Sequence, residues 1–425
     1  MAATNGEQVD YSLANPDTLT KYKTAAQISQ KVLETVSGWC TEGAKIVEIC
    51  TKGDKLLDDE IAKVYKGKAV TKGISHPCTV SPGSFVTPYT PLLSDAEEAE
   101  SKLKAGEAVK IQLGAQIDGF GTIVCDTVIV GDEKLSEMNA DLLLATHYAN
   151  ELMLRMILPP GLLNAGTDEE KKKAQSQKPY SQSKITQLLE KVVKSYGCNL
   201  VENTTCWSFD RNEIEGKKKI ILAPGEGVKG EGLPEIGEVW GMEMGVSNGT
   251  GKVKTLSNRP TLHRRTNTTY GLKRPSSRAT LSELKKKFGT FPFSLRQLDD
   301  ERAGKVGIVE CVRGGVVRQY EVVGSTDSMP VSRLFTTVAI TKNGLTKLGG
   351  PPAFDLEKVK SDKKITDEEV LKILELPLAK PTGDKKKSKK KKKKSTKKAA
   401  AAPAAKKEEE DDDDDDDDED DSDEE

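Results

Sequence analysis

The chain has 425 residues and a mass of 46.2 kDa, too long for one small module; 36% hydrophobic and only 5% aromatic residues imply a core that is mainly aliphatic. Its net charge of −2 hides a segregated end: residues 385–425 hold 13 Lys and 17 Asp or Glu. No stretch approaches the roughly 20 apolar residues of a membrane-spanning helix, the start MAATNGEQVD lacks the basic and apolar regions of a secretory signal, and seven Cys without a CxxC pair read as reduced thiols of a cytosolic or nuclear protein.

Residues 1–20 are small and polar and are expected to be disordered. A helix is predicted from near Tyr22, with Ala25, Ile28, Val32, Leu33 and Val36 on one face and Gly38 as its stop. A second is predicted over about 45–64 through Ile49, Leu56, Leu57 and Ile61. Residues 72–92 carry four Pro and no period, so an ordered loop with short strands is expected. A hairpin follows: 109–113 and 122–130 alternate like strands, with a turn over 116–121. Helices are expected over 136–158 and 184–196, and the polar stretch between them reads as a mobile excursion. Residues 219–254 are Gly-rich with strand-like fragments, among them GEVWGMEMGV.

The segment 257–302 is basic and then helical. Thr280-Leu-Ser-Glu283 has the form of a capping box ahead of Leu281, Leu284 and Phe288. Residues 307–312 and 335–340 read as late strands. After Pro377 the chain is low complexity, lysine-rich and then acidic.

The hairpin stretch VKIQLGAQIDGF resembles the start of the catalytic half of the methionine-aminopeptidase/creatinase superfamily. Three longer segments narrow the resemblance: TKYKTAAQISQKVL, TNTTYGLKRPSSRATLSELKKKFGTFPFSLRQLDDER and GIVEC. They are similar to the proliferation-associated, or curved DNA-binding, protein family, a non-catalytic branch close to type-II methionine aminopeptidase. The resemblance covers about residues 21–355. It implies an α/β fold of the pita-bread type over 21–376, a helical, winged-helix-like insert at 257–306, and a disordered tail at 377–425.

The active enzymes of that superfamily hold two dications about 3.5–4 Å apart on carboxylate and His ligands. The resemblance places the two metal-binding Asp at Gln112 and Ile123, the metal His at Cys206, the two Glu at Glu243 and Phe335, and the substrate His at Pro88. Only Glu243 keeps its ligand type. Asp126, three residues past Ile123, should face the opposite side of its strand. His76 and His147 match neither His position, and His147 reads as a core or interface residue. Cys206 and Glu243 lack a third partner for a soft metal. The expectation is therefore a pseudo-aminopeptidase with no cofactor and no metal, its concave face now a neutral binding pocket.

Arg264, Arg265, Lys273, Arg274, Arg278, Lys285, Lys286 and Lys287 concentrate positive charge around Tyr270, with few acids before Asp299. That pattern suits phosphate contacts, without a base-reading motif. The tail run of Lys385, Lys386, Lys387, Lys389, Lys390, Lys391, Lys392, Lys393 and Lys394 suits nuclear or nucleolar localisation and nonspecific RNA contact. The acidic run 408–425 could screen it, and Ser422 suits an acid-directed kinase. By resemblance, the expected function is a factor on the large ribosomal subunit and its rRNA, in ribosome biogenesis and growth control, in cytoplasm and nucleus. The alternatives are a nuclear protein that prefers curved DNA and an active metallo-aminopeptidase. Protein partners would sit at the concave pocket or the acidic tail; no membrane is expected.

Overall fold

The computed structural model describes residues 10–131, 135–163, 169, 172 and 176–380. Residues 1–9, most of the polar excursion after 163, and the whole run 381–425 with its lysines, acids and Ser422 lie outside the described residues.

Helix α1 (Pro16–Trp39) starts six residues before Tyr22, so residues 16–20, expected to be disordered, are helical. Its start is set by Asn15, whose side chain accepts from the Asp17 N–H at 2.9 Å, and by Pro16 in the first turn. Helix α2 (Ile46–Lys63) follows. Strand β1 (Lys72–Pro82) then runs straight through the Pro-rich segment. It is the edge strand of its sheet, where a missing N–H is tolerated, and its register to β2 shifts on either side of His76.

A short helix α3 (Ala96–Ala99) leads to β2 (Ala108–Ile117), β3 (Phe120–Gly121) and β4 (Val124–Ile129). Helices α4 (Glu137–Met156) and α5 (Gln182–Ser195) are N-capped by Ser136 and Ser181. Strands β5 (Asn199–Leu200), β6 (Thr205–Phe209), β7 (Lys219–Ile221) and β8 (Val239–Ser247) come next, with β9 (Val253–Thr255) after them.

The insert contains β10 (Leu262–Arg265), α6 (Pro275–Lys287), β11 (Pro292–Ser294), α7 (Glu301–Arg313) and β12 (Val317–Gln319). It is α+β, not purely helical. Its three strands pair in the order β11-β10-β12, so a boundary at 306 would cut α7. The GIVEC stretch is part of α7, not a strand, because Asp300 caps a helix there. Thr280 and Glu283 lie inside α6, whose start at Pro275 has no side-chain cap, so the expected capping box does not form. The insert has its own core, including Leu284, Phe293, Ile308 and Cys311.

Strands β13 (Val323–Ser325), β14 (Val331–Thr341) and β15 (Gly344–Gly349) and helix α8 (Glu368–Leu374) complete the described fold. Among the described residues the main sheet has ten strands with the path β1-β2-β4-β14-β8-β6-β7, and every pairing among them is antiparallel.

Side-chain alternation divides this sheet into two faces. Val109, Ile111 and Leu113 pack beneath α1 and α2. Trp240, Met242, Met244, Leu334, Val338 and Ile340 pack beneath α4 and α5. The intervening residues face a concave cleft. All seven Cys are free and buried. Among the described residues no helix is long and apolar enough to cross a membrane.

Gly114 sits where β2, β1 and the 122 turn converge. A Cβ there would collide with the Thr122 carbonyl oxygen and stand 2.5 Å from the Ser75 hydroxyl. Gly114→Ala should cost about 1–3 kcal/mol, read as a lowered urea midpoint; an unchanged midpoint would show that the hairpin yields freely.

Candidate functional site: an arginine-filled cleft and a basic insert

The concave face holds a cavity of about 400 Å3. Pro88, Gln112, Ile123, Glu243 and Phe335 all line it, together with His76 and Arg333. Five of the six positions inferred from the resemblance are therefore brought together. Cys206 is not. Thr205 and Trp207 line the cleft, while Cys206 faces the helix side. Its Sγ donates to the Glu243 carbonyl at 3.3 Å, and burial pushes the thiol up to about 12. With its Sγ on the helix side, Cys206 presents no ligand atom to the cleft.

Arg333 is the centre of the cleft. Its side chain is only 4% exposed. Nε donates to Glu243 Oε1 at 2.9 Å, Nη2 bonds the same oxygen, and Nη2 also donates to Gln112 Oε1 at 2.9 Å. Burial disfavours the charge, but the Glu243 carboxylate outweighs it and raises the guanidinium above its ordinary range.

The network continues outward. Gln112 Nε2 lies 3.1 Å from His76 Nε2, and His76 Nδ1 lies 2.8 Å from the Pro77 carbonyl. Nδ1–H must donate to that carbonyl, so Nε2 accepts from the amide. Burial, reinforced by Arg333, lowers His76 to about 4 and keeps it neutral.

Two dications do not fit this donor set. Their carboxylate bridge would need Asp at Gln112 and Ile123, and Glu243 is already matched by a resident cation. Among the described residues no group of three His, Cys, Asp or Glu is placed to hold a metal. The pocket is neutral by pairing of opposite charges, not by lacking them. His76 and Arg333 were missed in the sequence reading. Arg333 carried a signal: it is the one charged residue in the strand VSRLFTTVAIT.

The insert's cations separate into structural and free sets. Arg264 is 10% exposed and pairs with Glu213 and, at 3.3 Å, with Glu215, while its Nε donates to the Thr290 carbonyl at 2.8 Å. It clamps the insert to the 213–215 turn and is not available to phosphates, contrary to its sequence-based assignment. The acids that neutralise it lie about 50 residues upstream. Arg265 is half-buried and donates to the Gly289 carbonyl at 2.8 Å. Lys287 pairs with Glu283 and Asp299 at 2.7 and 2.6 Å. Arg278 Nη1 donates to the Leu272 and Lys273 carbonyls, bracing the turn before α6.

Lys273, Arg274, Lys285 and Lys286 are exposed, and among the described residues they enter no ion pair. The two pairs stand at opposite ends of α6, roughly 17 Å apart at 1.5 Å per residue. Tyr270, half exposed, lies against Gly314 beside this face.

The fold is the pita-bread fold of the metallopeptidases of family M24, whose model matches residues 20–193. The chain is 38% identical over 389 residues to the curved DNA-binding protein of Schizosaccharomyces pombe, covering 90% of this chain and 96% of that one. It is 32% identical to proliferation-associated protein A of Dictyostelium discoideum, covering 86% and 90%. A solved structure of a thermophilic Arx1 superposes with a TM-score of 0.84 at 64% identity, covering 86% of this chain and all of that one. The chain belongs to the proliferation-associated, curved DNA-binding protein family.

Proposed function

We propose that this protein is a non-catalytic, aminopeptidase-like factor that binds the large ribosomal subunit through rRNA, acting in ribosome biogenesis and growth-related regulation. The observation that carries the reading is a set of exposed cations flanking α6, Lys273, Arg274, Lys285 and Lys286, which enter no ion pair among the described residues, with the half-exposed Tyr270 three residues before Lys273. Such a surface recognises backbone phosphate and shape, and an exposed ring can stack on an unpaired base. The lysine run 385–394 would add nonspecific contact and direct the chain to nucleus and nucleolus as well as cytoplasm. A second reading, a nuclear protein that prefers curved DNA, is favoured by the name of the 38% identical relative.

Co-sedimentation separates the readings. The full-length protein should travel with 60S particles in a gradient, and rRNA fragments should displace it better than bent duplex DNA of equal length. Displacement by bent DNA alone would favour the second reading.

The cleft gives an independent expectation. With Arg333 seated against Glu243, the protein should release no N-terminal Met from test peptides in the presence of Co, Mn or Zn. Peptide turnover with two bound metals would overturn the non-catalytic assignment.

A further inference from the structure

The main sheet carries a second cavity, of about 420 Å3, on its helix-covered side. Strand β14 separates the two: Ser332, Leu334 and Thr336 line this one, while Arg333 and Phe335 line the cleft. Helix α4 contributes Thr146, His147, Asn150 and Glu151 at helical spacing, and β4 contributes Asp126. The volume lies within the range of about 300–1,000 Å3 usual for small-molecule sites.

Two groups in its wall lack the partners their chemistry calls for. Ser332 is 0% exposed, and among the described residues its hydroxyl has no hydrogen-bond partner. Asp126 accepts through Oδ1 from the Thr127 N–H at 2.8 Å, and among the described residues no cation pairs with it. The other charges around the cavity are matched. Glu151 on α4 pairs with Arg155 and with Lys347 of β15, at 2.8 and 2.7 Å. Asp355 accepts from the Glu357 and Lys358 N–H groups of its own turn. His147 stacks on Phe354 at 4.3 Å and burial lowers its pKa, so it stays neutral. From α1 the cavity receives only the neutral Gln30.

We propose that this cavity binds a small organic cation through a primary ammonium group, held by the free oxygen of Asp126 and the Ser332 hydroxyl. An ammonium carries three N–H donors, enough in number for a carboxylate oxygen and a hydroxyl together. A divalent metal would need more anionic ligands than one unpaired carboxylate supplies. Asn150 offers amide contacts to a polar substituent on the rest of the ligand.

Burial raises Asp126 to about 6. Between the ordinary carboxylate range and that value the folded chain binds more protons than the unfolded chain. Stability contributed by the site is therefore present at low pH and lost as pH rises through about 6. Asp126→Asn should accordingly melt higher than the natural protein above pH 6, and the difference should vanish near pH 4. Amine affinity should run the other way and fall as pH drops below about 6.

The probe is putrescine, titrated calorimetrically into the full-length chain at pH 7.5 and 150 mM salt, then into Asp126→Asn and Ser332→Ala. The expected result is one saturable site, weakened at least tenfold by Asp126→Asn and more mildly by Ser332→Ala. Equal affinity in the natural and Asp126→Asn chains would place the amine on the acidic 408–425 run and overturn the proposal. Absence of a saturable site in the natural chain at millimolar amine would overturn it too.

Discussion

Arg333→Met should lower the stability of the protein by about 3 kcal/mol, measured as a fall in urea midpoint at unchanged slope. The guanidinium is nearly inaccessible and satisfies Glu243 and Gln112 together. Removing it strands a carboxylate beside an apolar wall that includes Ile123 and Phe335. Breaking a buried ion pair from one side costs about 3–5 kcal/mol. Glu243 retains 22% exposure, so water recovers part of that loss and the lower end is expected. The double variant Arg333→Met, Glu243→Met separates pair from packing. With both charges gone, most of the stability should return, because a buried pair is seldom better than well-packed apolar side chains. A loss below 1 kcal/mol for the single variant would mean that Glu243 swings to solvent and that Arg333 does not organise the cleft.

Replacing Lys273, Arg274, Lys285 and Lys286 together by Ala should remove most of the rRNA affinity and flatten its salt dependence. Each lost phosphate contact reduces the log–log slope by about 0.7 for single strands and 0.9 for duplex, so four contacts amount to about three. That corresponds to a large loss at 50 mM salt and a small one at high salt. Arg264→Ala provides the contrast. Its partners are Glu213, Glu215 and the Thr290 carbonyl, so stability should fall by about 1–3 kcal/mol with the slope unchanged. A quadruple variant with the natural slope would mean that the ribosome is met through another surface.

The sequence made α1, α2, α4, α5 and the β2–β4 hairpin legible, because each has an unbroken apolar period of 3.6 or 2. Strand β1 was obscured by Pro77 and Pro82, which argue against a central strand but are compatible with the edge position it occupies. The start of α7 was obscured because a short apolar run such as GIVEC fits either period, and the decisive Asp300 cap lies seven residues earlier.

At the site, Gln112, Ile123, Glu243, Pro88 and Phe335 could be placed by counting from recognisable motifs. Cys206 could not. A one-residue error in a strand transfers a side chain to the other face of the sheet, and Thr205 and Trp207 occupy the cleft instead. The insert's electrostatics were misjudged for a different reason. The acids that neutralise Arg264 are near in space but distant in sequence, so counting charges within 257–302 overstated the free positive field. Arg333 stood out as a lone charge in an otherwise uncharged strand, but nothing local showed that it pairs with Glu243 on β8.

A cleft whose carboxylate is matched by Arg333 depends on different things from a binuclear metal centre. A binuclear centre must be loaded after synthesis, and its charge varies with metal supply, competing chelators and the ionisation of bound water. A guanidinium arrives with translation and keeps its proton at every physiological pH. The concave surface therefore has one fixed electrostatic state from the moment the chain folds, and any partner that reads it meets the same surface in metal-rich and metal-poor surroundings.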